Sequence, residues 1–254
     1  MKKRNFIYMC FILPSFIGIM AFYIVPFLLS LYFAVIDNMM NKEWVGLKNF
    51  KDVLTDTNFM QTLKNTLLYV FWSLIVGLPL PFICAVIVNE LWVGRTIFKT
   101  LSYLPCVIPA MAVYLIWKMI YLEGDGGLLS GFGSTMIMYL ASLQGINREL
   151  YEAASIDGAG FWGRIRYVLF PHMRGIVLLM AIRQIISVFQ ITEQPMTMTG
   201  GGPNGASMSL GLQMYNYAFK FGQTDRSLAV GVIMFVILIG LTVVYFKLEK
   251  KYSD

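Results

Sequence analysis

The 254-residue chain is poor in charge. Asp, Glu, Lys and Arg make up 13% of it, against about 25% in soluble domains, so it lacks the polar surface that a water-exposed globule needs. Histidine and cysteine are scarce too. The single His172 has no partner at ligand spacing, and a lone histidine is more often a loop residue than a metal ligand. Cys10, Cys84 and Cys106 lie in apolar runs at unrelated spacings, which excludes a disulfide framework or a zinc site and leaves them as small packing groups. No G-x-x-x-x-G-K-[ST] phosphate loop is present, so the chain cannot hydrolyse ATP by that route. No carboxylate pair has catalytic spacing. No enzyme chemistry, cofactor or metal is expected.

Apolar length is what the sequence has instead. Hydrophobic residues make up 57% of the chain and mean hydropathy is +0.66. The net charge of +6 falls at the ends of apolar runs rather than in one patch, so it is not a nucleic-acid footprint. An all-α integral membrane protein is predicted, one domain over 1–254, with about six spans at 6–36, 65–88, 100–122, 131–146, 175–192 and 227–246. The first run follows Lys2, Lys3 and Arg4 and is too long for a cleaved signal, so it reads as a retained span. Pro14 and Pro26, Pro79 and Pro81, and Pro105 and Pro109 mark kinks in the first three spans. The fourth is unusually short: sixteen residues make a helix of about 24 Å, against a hydrocarbon core of about 30 Å. It is kept as a crossing because it leaves Arg148, Arg164, Arg166 and Arg174 on the same side as the N-terminus and Lys247, Lys250 and Lys251. Basic loops favour the cytoplasm, so both termini are expected there.

Between the fourth and fifth runs lies the longest polar-rich stretch, 147–174. Glu149, Glu152, Ala153 and Ile156 repeat at helical spacing over 148–156, and Asp157-Gly158 breaks that pattern. A second short helix fits 161–170, with Phe161, Ile165, Val168 and Leu169 on one side and Pro171 ending it. The pair fits either a compact knob or an amphipathic loop on the bilayer surface. Within the fifth span, Gln184, Ser187 and Gln190 recur at steps of three. Such groups are costly against lipid and should face other helices or a water-filled path. Arg183 is expected one turn inside the cytoplasmic end of that span, snorkelling inward in preference to pairing with an acid on a partner subunit. Tyr114 and Tyr139 lie deeper than the other aromatics. Trp72, Trp92, Trp117 and Tyr121 fit an interfacial belt.

Glu152-Ala153-Ala154, then Gly158, then Val168, Phe170 and Pro171, together resemble the EAA loop of binding-protein-dependent ABC importer permeases. Val168 and Phe170 depart from the usual Ile-x-Leu-Pro ending. Leu143 to Ile146 before the loop, and Thr199-Gly200-Gly201-Gly202-Pro203 after the fifth span, resemble the carbohydrate-importing subgroup, and the likeness covers most of the chain. The resemblance implies a bacterial cytoplasmic-membrane subunit without its own ATPase. Its partners would be cytoplasmic ABC ATPase subunits, a second homologous permease and an extracellular or periplasmic sugar-binding protein. It further implies that Glu152, Ala153, Ala154, Asp157, Gly158 and Pro171 couple to the ATPase, while Gln184, Ser187, Gln190 and Tyr139 line the sugar path. Two alternatives stand beside it. An ion-gradient-driven secondary transporter needs mid-membrane acids, which the span centres almost lack. An inactive, internally shortened permease fits the short fourth span.

Overall fold

The computed structural model describes residues 12–37, 43–90, 95–120, 136, 138, 139, 141–143 and 160–253. The expected helix 148–156, with Glu152, Ala153 and Ala154, and the Asp157-Gly158 break after it lie outside the described residues, as do Trp92 and Tyr121 and the side chain of Trp117.

Four helices are long and apolar enough to cross a membrane: Ile12–Phe33 (α1), the stretch Thr57–Asn89, Trp162–Phe189 (α7) and Thr224–Lys247. The second of these is broken at Leu78 into α3 (Thr57–Gly77) and α4 (Pro79–Glu90). The last belongs to a longer helix, α10 (Thr224–Ser253). The expected third span is two helices, α5 (Arg95–Val107) and α6 (Ala110–Ile120), separated at Ile108-Pro109. Of the expected fourth span, residues 136, 138, 139 and 141–143 are helical. Shorter helices are α2 (Lys48–Thr55), α8 (Glu193–Met198) and α9 (Leu210–Tyr215). The chain is mostly helical rather than wholly so. Ile36–Asp37 (β1) pairs antiparallel with Glu43–Trp44 (β2), Ile36 opposite Trp44. Those backbone groups have left a helix and are satisfied by pairing with each other.

Proline acts differently along the chain. At Leu78-Pro79 and at Ile108-Pro109 the helix is interrupted, because proline supplies no N–H to the preceding turn. At Pro26 and Pro171 it is not. Each stands at the start of an α-helical stretch directly after a π turn, Met20–Ile24 before Pro26 and Ile165–Leu169 before Pro171. The wide turn passes its hydrogen bond from Phe170 N–H to the Ile165 carbonyl, five residues back, which makes room for the ring. Pro171 therefore does not end a short helix. Residues 161–170 are the first turns of α7, which is one helix and not a second lobe of a knob. The boundaries at 65 and 175 move outward for the same reason: polar residues ride on helices longer than their apolar stretch.

The chain forms two compact units. In the first, Met1–Met60 with Gln213–Val236, the Phe27 and Phe235 rings lie 4.8 Å apart. The buried Asn49 amide donates to the carbonyls of Ala34 and Ile36, at 3.0 and 2.9 Å, tying α2 to β1. Tyr217 donates its hydroxyl to Asp56 at 2.9 Å. Burial first, and that carboxylate second, push the phenol up from its ordinary value. The second unit is Gln61–Leu212 with Ile237–Asp254. Its core joins Ala85, Val86 and Val88 of α4, Met136, Tyr139 and Leu143 of the fourth stretch, and Val168, Leu169, Met173 and Met180 of α7. Met136, Tyr139 and Leu143 stand at the i, i+3, i+7 spacing of one helix face.

Candidate functional site

The site is built on α7. At 28 residues this helix is about 42 Å long, more than a hydrocarbon core. Its N-terminal half contributes Val168, Leu169 and Met173 to the apolar core, and Met180 joins them past the midpoint. In its C-terminal half the uncovered face changes character. Arg183, Ser187 and Gln190 are all exposed, and steps of four and three place them within about 60° of one another.

Arg183 is six residues before Phe189, where α7 ends, and not at the N-terminal end where it was expected. Its Nη1 donates to Met138 Sδ at 3.4 Å. A thioether is a weak acceptor and no counter-charge. Among the described residues no carboxylate lies within ion-pair distance of it. The spacing with Ser187 and Gln190 was the signal that would have grouped it with them.

Gln184 is half-buried beside this face. A Cβ placed on Gly77 would sit 3.5 Å from Gln184 Nε2, so the amide lies against the bare backbone where α3 breaks. Among the described residues that amide forms no hydrogen bond. Gln190 is the residue that closes α7, its N–H reaching Ile186 O at 3.3 Å. Tyr139 is not on this face. It is fully buried, its ring edge-on to Phe82 at 5.5 Å, and its hydroxyl has no hydrogen-bond partner. Tyr114 is buried and accepts from Gln194 Nε2 at 2.8 Å, which ties α8 to α6. His172, expected in a loop, is a helical residue of α7 whose Nδ1 meets Val168 O at 2.9 Å.

The C-terminal end of α7 is pinned. Gly211 on α9 packs so closely that a Cβ there would meet Thr192 Oγ1 at 2.6 Å, Ile191 O at 2.7 Å and Gln190 O at 3.0 Å. The loop before it is ordered by its own chemistry. Gly200, Gly201, Asn204 and Gly205 all take positive φ, a conformation that glycine tolerates best. Asn65 Nδ2 holds the carbonyls of Gly205 and Met208 at 2.8 and 3.2 Å, and Thr66 Oγ1 receives the Leu210 N–H at 3.0 Å. Asn65, expected to open the second span, is instead a bracket for this loop.

Residues 77–254 match the model of a family described as binding-protein-dependent transport system inner membrane component. The chain is 32% identical to the multiple sugar-binding transport system permease protein MsmF of Streptococcus mutans, covering 84% of this chain and 83% of that one. It is 30% identical to the probable ABC transporter permease protein YesP of Bacillus subtilis, over 97% and 91% of the two chains. That alignment runs over 283 positions, more than this chain has residues, so the relative carries residues that this chain lacks. Against the trehalose/maltose transport system permease protein MalF of Thermococcus litoralis, identity is 26%, over 96% and 93%. Among solved structures, a bacterial ABC transporter involved in import of the acidic polysaccharide alginate shares the fold, with a TM-score of 0.86 and 20% identity over 99% and 98% of the chains.

Proposed function

Because the chain belongs to the binding-protein-dependent transport inner membrane component family, we propose that it is a multi-pass permease subunit of an ATP-driven sugar importer. Its substrates are sugars or oligosaccharides, handed over by an external binding protein. A second homologous permease completes the path, and a pair of cytoplasmic ATPases drives it. Relatives named as sugar-transport permeases support the substrate class. So does a related alginate transporter solved together with a periplasmic protein carrying an alginate pentasaccharide.

In this reading 1–254 is one permease domain of six spans with both termini in the cytoplasm. Residues 147–174 form the coupling loop. Glu152 supplies charge to a basic group on the ATPase, Ala153 and Ala154 allow close approach, and Asp157-Gly158 sets the bend. Pro171 stands where the loop joins the fifth span. The sugar path runs along α7, where Gln184, Ser187 and Gln190 offer amide and hydroxyl partners, with Tyr139 as an aromatic face reached in another arrangement of the helices. Two arrangements biased by ATP binding at a distance then give transport. The observation that carries the reading is the uncovered face of α7: polar side chains on a helix of membrane length belong against water or protein rather than lipid.

The test is the reconstituted complex, with ATP hydrolysis and sugar uptake measured with and without loaded binding protein. Gly158→Pro should lower association with the ATPase by about one to two powers of ten, from a bend and contact loss of about 1–3 kcal/mol. Insertion should be untouched, because it follows the apolar spans and flanking charge. Wild-type co-purification and uptake in Gly158→Pro would remove the loop from the coupling role. The longer alignment with YesP supports internal shortening. An inactive shortened permease predicts a complex that assembles and never transports.

A further inference from the structure

We propose that Arg183 is the anion-binding group of this path and that the importer accepts oligosaccharides carrying carboxylates, the uronic-acid class. The proposal rests on the sugar-path reading of α7 and narrows it.

Arg183 is a fixed positive charge inside a helix of membrane length, on a face the chain leaves open. Burying such a charge against lipid is unfavourable, and intramembrane cations are held by a partner or by water. Snorkelling toward the near helix end runs against the geometry. Side chains on a helix lean toward its N-terminus, and the guanidinium accordingly meets Met138 Sδ, on the fourth stretch, at 3.4 Å. Sulfur offers it no charge to balance, and among the described residues no carboxylate is in reach. Among the described residues Arg183 therefore stands with its charge unmatched.

Its neighbours indicate what completes it. Ser187 and Gln190 share its face, one and two turns further along α7. A hydroxyl and an amide each donate and accept, which suits sugar hydroxyls and supplies no negative charge. The guanidinium presents paired N–H groups in a plane that matches a carboxylate with two parallel hydrogen bonds. One cation flanked by neutral polar groups suits a monoanionic sugar ring: the carboxylate on the arginine, the hydroxyls on Ser187 and Gln190. A neutral sugar would leave the charge unmatched, so the same residue selects against it. The balance is met by ligand binding alone, with no covalent step.

The experiment uses the complete importer in proteoliposomes: this chain with its partner permease, ATPase and binding protein. The probes are trigalacturonate and its fully methyl-esterified form, which keeps the ring and removes the charge. Uptake is read for wild type, Arg183→Gln and Arg183→Lys. The ratio of free acid to ester is compared between variants on one binding protein, so that protein's own preference cancels. Wild type should favour the acid. Arg183→Gln should co-purify with its partners and lower the acid-to-ester ratio about tenfold or more, the scale of one charge-assisted pair. Arg183→Lys should fall between, keeping the charge and losing the fork. An unchanged ratio in Arg183→Gln overturns the proposal, as does a wild type that takes up neutral sugars and refuses the acid. A complex that comes apart in Arg183→Gln also overturns it, assigning Arg183 to a carboxylate of the partner permease. Failure of wild type to import any sugar on ATP overturns the importer reading first, and this proposal with it.

Discussion

The two halves of α7 are made of the same helix and do opposite things. The N-terminal half turns Val168, Leu169 and Met173 into the core against α4 and the fourth stretch. The C-terminal half presents Arg183, Ser187 and Gln190 on an open face. The open half is not loose, because Gly211 packs against the carbonyls of Gln190 and Ile191 and the Thr192 hydroxyl. The difference is therefore one of chemistry and not of order: an apolar seal at one end, a held polar surface at the other. Under the proposed importer function, a path closed on one side and receptive on the other would need that division. Each half can be broken separately.

The largest effect is expected in the sealed half. Met173 is 1% exposed within the apolar cluster, so Met173→Ala opens a cavity that its neighbours fill only in part. Such truncations cost about 2–5 kcal/mol. Thermal unfolding of the purified chain in detergent should show a clear drop. Leu179→Ala, 44% exposed on the same helix, should show almost none. Equal drops at the two positions would mean that the seal is not localised where the core places it.

The held half should respond next. At Gly211 an added methyl meets two backbone carbonyls and the Thr192 hydroxyl at 2.6 to 3.0 Å. Carbonyls cannot rotate away as a side chain can, so Gly211→Ala should shift α9 off the end of α7 at about 1–3 kcal/mol. The unfolding midpoint should fall, and uptake should fall further than stability alone accounts for. A variant with wild-type midpoint and uptake would show that the end of α7 is not held by this contact.

The apolar seal and the polar face were unequally legible in the sequence. The four long apolar helices followed from hydropathy, and the glycines at 200–202 announced a tight loop because few other residues accept positive φ. The steps of three from Gln184 to Gln190 marked a polar sector. What failed had a local cause each time. Pro171 reads as a stop, since a π turn that absorbs a proline leaves no trace in spacing. Arg183 was placed at the wrong end because apolar count alone began the helix at Gly175, thirteen residues after Trp162. The β1–β2 pair and α2 lie in a polar segment read only as an external loop, where strand pairing and the buried Asn49 decide the backbone. Tyr139 was picked for its depth, and depth does not distinguish a core face from a path face.

Tyr139 carries the smallest expected effect and the sharpest distinction. Its ring is fully buried and edge-on to Phe82, and its hydroxyl finds no hydrogen bond. A buried hydroxyl without a partner costs about 1–3 kcal/mol of desolvation. Tyr139→Phe removes that oxygen and keeps the ring contact, at the expense of a void smaller than a methyl group. The two terms nearly cancel, so stability should be unchanged or higher by about 1 kcal/mol. Uptake responds to a different quantity. A hydroxyl that is orphaned in this arrangement and satisfied in another, by sugar or by water in the path, favours the second arrangement. Its loss then slows the cycle while the protein grows no less stable. The expected outcome for Tyr139→Phe is therefore an unfolding midpoint at or above wild type together with slower sugar uptake. An equal midpoint with equal uptake would leave Tyr139 as packing for the seal and take it out of the path.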